Sequence, residues 1–127
     1  ESIDRPSIII ACSEEPLRRV LAYSLRRLGC GVECVASHQA LLSRTQRHHY
    51  AIILTCFPAP LLSESRMMGR LRGTTASSSL FVLTSSRSAN EVVVLLERGA
   101  EQVLTLPVST NRLRRKIEIS LAKRLRL

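Results

Sequence analysis

Residues Tyr50–Cys56 read YAIILTC, a short run in which β-branched and other apolar side chains predominate. Such a run, followed by Pro58 and Pro60, is typical of a strand buried on both faces of a sheet. Ser7–Ala11 (SIIIA) and Leu80–Thr84 (LFVLT) have the same character. Strands without polar alternation predict a parallel sheet that is covered by helices on both sides.

The segments between these strands have helical spacing. Apolar residues recur every three or four positions over Leu17–Leu28, with Pro16 in the first turn, Ser13 as a candidate N-cap and Gly29 at the end. The remaining predicted elements are strands over Gly31–Ala36 and Gln102–Leu106 and helices over Leu41–His49, Ser63–Arg72, Asn90–Arg98 and Asn111–Leu125. The order predicts an α/β fold of the (βα)5 type, a doubly wound, five-stranded parallel sheet in a three-layer α/β/α arrangement.

The length of 127 residues fits a single domain. We expect a linker over 1–6, a core over 7–123 and a tail, or the start of a further linker, over 124–127. No apolar run is long enough to cross a membrane, so no membrane insertion is expected. The chain begins at Glu1 with no Met and no signal peptide, from which we expect a cytoplasmic piece of a longer protein.

The charge is strongly positive, with 19 Lys and Arg against 10 Asp and Glu. This balance indicates either an anionic partner or an arginine-rich composition without functional meaning. The last predicted helix concentrates cations, which form either an electrostatic contact surface or a solvated face. No helix-turn-helix, zinc finger or aromatic RNA-binding motif is present, so nucleic acid is expected only through an attached output domain.

The four cysteines, at positions 12, 30, 34 and 56, are too few for a small secreted disulfide scaffold and favour reduced thiols. Cys30 and Cys34 lack a second Cys/His pair at zinc spacing. His48 and His49 are neighbours in sequence and would point in different directions on a helix. No metal site is therefore predicted.

Several landmarks together resemble the receiver domain of two-component response regulators, the CheY-like fold, from about Ser7 to Lys123. Tyr50–Cys56 with Pro60 resembles the third-strand motif that ends at the phosphoacceptor. The other matching segments are Leu83-Thr84-Ser85, Gly99-Ala100-Glu101-Gln102 and Thr105-Leu106-Pro107-Val108. The resemblance implies a signalling domain with a phosphorylation pocket at the carboxyl ends of the strands.

The same resemblance indicates that this pocket is degenerate. The family's phosphoacceptor Asp falls at Cys56, its two acidic Mg²⁺ ligands fall at Cys12 and Ser13, and its Lys falls at Leu106. Of the pocket, only the hydroxyl of Thr84 is retained. Because phosphoryl transfer needs a carboxylate and an oxygen-ligated Mg²⁺, neither phosphorylation nor Mg²⁺ binding is expected. Glu14 alone would not restore the site, and no catalytic residue, enzyme activity, cofactor or small-molecule substrate is predicted.

Two interpretations of the pocket cysteines stay open. Cys12 and Cys56 lie at neighbouring strand ends according to the resemblance, so a reversible disulfide is conceivable if their Cα atoms lie within about 7 Å. A reactive thiolate would also need a lowered pKa. The alternative is that both are small apolar residues that fill a pocket without charges.

The fourth predicted helix contains five consecutive apolar residues, more than one buried stripe requires. The resemblance places Val93 and Leu96 inward, which leaves Val92, Val94 and Leu95 outward or at the edge. In related regulators the face of helix four, strand five and helix five mediates dimerisation through ion pairs. Here that ion-pair pattern is lost and the family's switch aromatic is replaced; the positions concerned are Val92, Val103, Arg112 and Lys116. The prediction is an apolar interaction face, unless another segment covers the helix.

These observations predict a receiver-like, phosphorylation-independent module that docks on a protein partner or dimerises. It would control an attached output such as a DNA-binding transcription regulator. The alternatives are a pseudo-receiver domain of a hybrid sensor histidine kinase and a redox switch through Cys12 and Cys56.

Overall fold

Five parallel strands form one sheet at the centre of the fold. The computed structural model describes residues 6–57, 69–71 and 77–125. The strands are β1 Ser7–Ala11, β2 Gly31–Val35, β3 Ile52–Phe57, β4 Ser79–Thr84 and β5 Gln102–Thr105. Their order in the sheet is β2-β1-β3-β4-β5, which is the doubly wound arrangement predicted from the sequence.

Helices cover both faces of this sheet. They are α1 Glu15–Arg26, α2 His38–Thr45, α3 Ala89–Glu97 and α4 Thr110–Leu125. α3 is the fourth helix of the sequence prediction, because the predicted third helix lies mostly outside the described residues; only residues 69–71 of it are described, and they are helical. None of the helices in the described ranges is both long and apolar enough to traverse a bilayer.

The strands bury alternate residues against opposite helix layers, as the two-residue period of a strand requires. Ile8 and Ile10 of β1 pack in a cluster with Leu25 of α1 and Ile117 of α4. The intervening Ile9 packs in a second cluster. Other members of that cluster are Leu41 of α2, Ile53 of β3, Val82 of β4 and Leu95 of α3. Both faces of the sheet are therefore core, which explains the uninterrupted apolar runs in β1, β3 and β4.

Several predicted boundaries are wrong, and side-chain hydrogen bonds explain some of the differences. The predicted N-cap Ser13 is exposed, and Glu14 occupies the N-cap of α1 without a side-chain hydrogen bond. α2 starts at His38 because the Ser37 hydroxyl accepts a hydrogen bond from the backbone N–H of Ala40 at 3.1 Å. This helix ends at Thr45 rather than at His49.

The last helix, α4, ends at Leu125 as predicted, so it includes Arg124, which the expected domain bounds assigned to the tail. The guanidinium of Arg124 donates hydrogen bonds to the Ser79 hydroxyl at 3.2 Å and to the Ser77 carbonyl at 2.5 Å. These contacts attach the last turn of the helix to the start of β4. The tail predicted from residue 124 is therefore helix, at least through residue 125.

Candidate functional site

A cavity of about 100 Å³ opens at the carboxyl ends of β1, β3, β4 and β5. This edge is where open α/β sheets bind ligands. Its lining residues are Cys12, Ser13, Glu14, Leu17, Cys56, Ser85 and Leu106. Four of the five predicted pocket residues, all except Thr84, thus lie around one cavity.

Thr84 is not among the residues that line this cavity, because its hydroxyl is hydrogen-bonded to the backbone of the loop that follows β4. The residue is fully buried at the end of β4. Its hydroxyl accepts a hydrogen bond from the backbone N–H of Ser86 at 3.0 Å. Ser85, the next residue, lines the cavity instead. The Thr84 hydroxyl therefore has a structural role in this loop.

The register of β1 and β3 places Cys12 and Cys56 side by side. Ala11 is paired with Thr55, so the next residue of each chain segment lies at the following position along the sheet. Both cysteines pack in the same cluster, on the α1 and α4 side. Cys12 is buried and Cys56 is half-buried, and both line the cavity. The two side chains are thus neighbours in the cavity wall.

The environment of Cys56 favours its protonated form. Burial raises the pKa of this thiol far above its usual range, and the adjacent Cys12 and the Glu14 carboxylate raise it further. A nucleophilic cysteine requires the opposite, a pKa lowered by a cation or a helix N-terminus. Cys56 is consequently not an activated nucleophile of the kind found in cysteine-dependent enzymes.

Two hydrogen bonds orient Cys12. Its thiol lies 3.6 Å from the carbonyl oxygen of Glu14, to which it donates. Arg18, one turn into α1, donates from Nη1 to the carbonyl oxygen of Cys12 at 2.7 Å. The charge of Arg18 is therefore directed at the Cys12 carbonyl, and among the described residues the cavity lining includes the carboxylate of Glu14 but no Lys or Arg.

The donor set does not fit Mg²⁺, the metal that the receiver fold implies. Magnesium requires oxygen ligands in octahedral geometry, usually with one or two carboxylates. The cavity offers one exposed carboxylate, Glu14, together with two thiols and two serine hydroxyls, and thiols are poor ligands for a hard cation. Within residues 6–57, 69–71 and 77–125, no cluster of three or more His, Cys, Asp or Glu side chains could hold a metal ion.

The predicted orientation of α3 is wrong. Leu95 is fully buried in the core, whereas Val93 and Leu96 are 48% and 45% exposed. Val92 and Val94 are half-buried. The sequence permits either orientation because five consecutive apolar residues leave no polar face to set the rotation of the helix. The outward apolar surface consists of Val93 and Leu96, bordered by Val92 and Val94, and is called the α3 patch below.

The remaining predicted interface residues lie on β5 and α4. Val103, on the edge strand β5, is half-buried and packs against the cluster that contains Leu95. Arg112 is exposed and Lys116 is half-buried on α4. These two positions therefore present cations, while the α3 patch presents apolar surface.

The prediction did not assign Leu17, Ser85 or Arg18 to the pocket. Ser85 directly follows β4, and this position alone is a signal for the carboxyl edge. Leu17 was interpreted as a core residue of α1, where it is half-buried and also lines the cavity. No pattern in the sequence indicates the contact between Arg18 and the Cys12 carbonyl, because it depends on the angle between β1 and α1.

Comparison with solved structures identifies the fold. The chain is similar to the CheY-like response regulator receiver domain protein of Methanospirillum hungatei JF-1, with a TM-score of 0.88, 18% identity and coverage of 97% of this chain and 98% of the other. The receiver domain of a putative LuxO repressor protein from Vibrio parahaemolyticus matches with a TM-score of 0.84, 18% identity and coverage of 94% and 92%.

A third similar structure is HP1043, an orphan response regulator of H. pylori, with a TM-score of 0.81, 18% identity and coverage of 91% of this chain and 96% of the other. No family model matches the sequence, and no curated protein matches it. At these identities the structural comparisons establish the fold, which is that of the CheY-like receiver domain.

Proposed function

We propose that this chain is a degenerate receiver domain that acts without phosphorylation as an interaction module. In this proposal it associates with a second copy of itself and thereby sets the state of an attached output, a DNA-binding transcription regulator. Signalling of this kind requires neither an enzyme activity nor a bound Mg²⁺ in this chain. One of the similar structures, HP1043, is an orphan response regulator.

The composition of the cavity carries this proposal. Cys12, Ser13, Cys56 and Leu106 line one cavity, and the resemblance to receiver domains assigns these four positions to the family's acidic and basic phosphorylation residues. The only Asp in the whole sequence is Asp4, which precedes β1. Among the described lining residues, Glu14 provides the one carboxylate and a thiol stands at position 56, so the proposal holds that the cavity lacks the nucleophile and the Mg²⁺ ligands that phosphoryl transfer uses.

The α3 patch supports association with a second copy. Val93 and Leu96 expose apolar side chains one turn apart, and exposed apolar patches often mark protein contacts. Glu97, at the end of the same helix, is exposed and makes no ion pair within the described part of the chain. A twofold arrangement can bring Glu97 of each copy toward Arg112 or Lys116 of the other. Charge complementarity between Glu97 and these cations therefore favours this face.

The absence of phosphorylation is tested by mass spectrometry. The purified chain is incubated with acetyl phosphate and Mg²⁺, beside a receiver domain with an intact Asp as a positive control. The proposal expects no added phosphate on this chain under conditions that modify the control. A covalent phosphate on any residue of the cavity would overturn the proposal.

The interface is tested by sedimentation over a dilution series in reduced protein. Val93→Arg is expected to weaken self-association at least about tenfold, since it places a charge in an apolar contact. The matched control is Val20→Arg on α1, because Val20 is similarly exposed at 51%. A monomeric wild type, or an equal effect of both variants, would contradict association through the α3 patch. In the monomeric case, docking on another protein, such as the kinase core of a hybrid sensor, becomes the explanation to pursue.

A further inference from the structure

The geometry points to a redox modification site in the cavity: a hydroperoxide can convert the thiols of Cys12 and Cys56 into a disulfide bond. This inference does not depend on self-association through the α3 patch, since the cysteines lie at the carboxyl edge of the sheet. It assigns a chemistry to a pair of side chains that the proposed interaction function leaves without a role.

The backbone separation suits a disulfide. Cys12 and Cys56 continue two neighbouring parallel strands immediately after the Ala11–Thr55 pair. Adjacent strands lie about 4.8 Å apart, and the Cα atoms of disulfide-bonded cysteines lie about 4.4–6.8 Å apart. Both side chains project to the same side of the sheet, since they pack in one cluster with Ile10 and Leu54. Bond formation therefore needs side-chain rotation and no rearrangement of the strands.

A hydrogen bond orients the Cys12 thiol within the cavity. This thiol donates to the carbonyl of Glu14, which lines the same cavity as both cysteines. Cys30, in contrast, is buried in the core and is not among the residues that line the cavity.

Cys34 is the competing partner, and the register disfavours it. Cys34 on β2 is paired with Ile10, so it lies diagonally from Cys12, two residue positions nearer the amino edge. It is half-buried and is not among the residues that line the cavity. A small oxidant that enters the cavity therefore meets Cys12 and Cys56 together.

The cavity is large enough for a small oxidant. Its volume of about 100 Å³ accommodates hydrogen peroxide beside the two thiols. The half-buried Cys56 is the thiol nearer to solvent, while Cys12 is almost completely covered. Cys56 is therefore the first site of attack and Cys12 the resolving thiol.

The reaction is balanced in two steps. The Cys56 thiolate, formed by loss of its proton to water, attacks one peroxide oxygen; the O–O bond breaks, and the departing hydroxide takes up a proton to leave as water, so Cys56 becomes a sulfenic acid. The sulfur of Cys12 then attacks the sulfenic sulfur, its proton is transferred to the departing hydroxyl, and a second water leaves as the S–S bond forms. Two thiols are oxidised by two electrons, and one peroxide is reduced to two waters.

The test is peroxide treatment of the reduced chain, followed by blocking of free thiols and peptide mapping by mass spectrometry. The expected product has lost two hydrogen atoms, retains two free thiols and yields a peptide cross-linked between positions 12 and 56. Reduction by dithiothreitol is expected to restore all four thiols. Formation should be slow near neutral pH, because burial raises the pKa of the Cys56 thiol and lowers the thiolate fraction.

Matched variants keep the outcome interpretable. Cys56→Ser is expected to abolish the cross-link, whereas Cys34→Ser, at a half-buried position on the neighbouring strand, is expected to leave its yield unchanged. Thermal unfolding monitored by circular dichroism verifies that both variants are folded. A cross-link between positions 12 and 34, oxygen additions without a cross-link, or unchanged free thiols after prolonged oxidation would each overturn the inference. Self-association measured on the same samples reports on the proposed function separately.

Discussion

The two edges of the sheet differ in how their polar groups are satisfied. At the amino edge, where β4 and β5 begin, Ser120 Oγ lies 3.0 Å from Ser79 Oγ and 3.3 Å from the Glu101 carboxylate. Arg124 donates to Ser79 at this same edge. At the carboxyl edge, the cavity contains a pair of thiols whose hydrogen bonds are weak.

This difference separates the edge of the sheet where side-chain hydrogen bonds stabilise the fold from the edge where a cavity is open to reagents. A connected network of oxygen and guanidinium hydrogen bonds stabilises the amino edge, because buried polar groups there are paired. At the carboxyl edge, Arg18 and the Thr84 hydroxyl are hydrogen-bonded to the backbone, whereas Ser85 lines the cavity as an exposed residue, so its substitution is expected to disturb few contacts. Function at the carboxyl edge and stability at the amino edge is the division that parallel sheets generally show.

The largest expected effect concerns the reactivity of Cys56 at the carboxyl edge. Alkylation by iodoacetamide at pH 8 should be at least about tenfold slower at Cys56 than in a free cysteine peptide, because each unit by which a pKa is raised lowers the thiolate fraction about tenfold. Burial and the neighbouring Cys12 and Glu14 raise the pKa of the Cys56 thiol. The guanidinium of Arg18 is hydrogen-bonded to the Cys12 carbonyl.

The rate should therefore continue to rise between pH 8 and pH 10, where an ordinary thiol reaches its plateau. Peptide mapping after timed quenching measures the rate at each cysteine. Alkylation of Cys56 as fast as that of the peptide would show that the carboxyl edge is less protected than the comparison of the two edges implies.

A matched pair of serine substitutions compares the edges directly. Ser120→Ala removes a buried hydroxyl from the amino-edge network and should lower the free energy of unfolding by about 1–2 kcal/mol. Ser85→Ala removes an exposed hydroxyl at the carboxyl edge and should change it by less than about 0.5 kcal/mol. Urea denaturation measures both values, and equal losses would remove the distinction between the edges.

The smallest expected effect is the pH dependence of an ion pair that connects β2 with α2. Burial raises the pKa of Glu33, but hydrogen bonds from Tyr50 and Arg44 more than offset this, so the pKa is lowered overall. A lowered folded-state pKa stabilises the protein above the unfolded-state value of about 4.3, and this contribution is lost as the pH falls through the folded-state pKa.

Glu33→Gln should therefore be less stable than wild type at pH 7, by under about 1 kcal/mol because the side chain is 37% exposed. The gap should close below about pH 4. Tyr50→Phe, which removes the 2.7 Å hydrogen bond to Glu33 and keeps the ion pair with Arg44, should show an intermediate gap. Urea denaturation at several pH values measures the free energy of unfolding of both variants and the wild type. A difference between Glu33→Gln and the wild type that persists at low pH would show that the effect arises from packing.

The positions of the cavity residues could be predicted because they follow from strand ends. Cys12, Cys56 and Leu106 come directly after or at the end of apolar runs, and parallel strands present these ends at one edge. Which hydroxyl lines the cavity could not be predicted. Thr84 and Ser85 are adjacent, and the choice depends on the hydrogen bond from Ser86 in the folded loop.

The sequence by itself determined the α/β class, the strand positions and the identity of the residues at the strand ends, because each of these is local. Short segments of the sequence are enough to predict that a strand is buried on both faces and to identify the residue at its end. The tertiary structure alone decided that Val93 and Leu96 face outward, that Arg124 attaches α4 to β4, and that Cys12 and Cys56 line one cavity with Ser85. Helix rotation and side-chain contacts arise from packing between segments far apart in sequence, which no local pattern specifies.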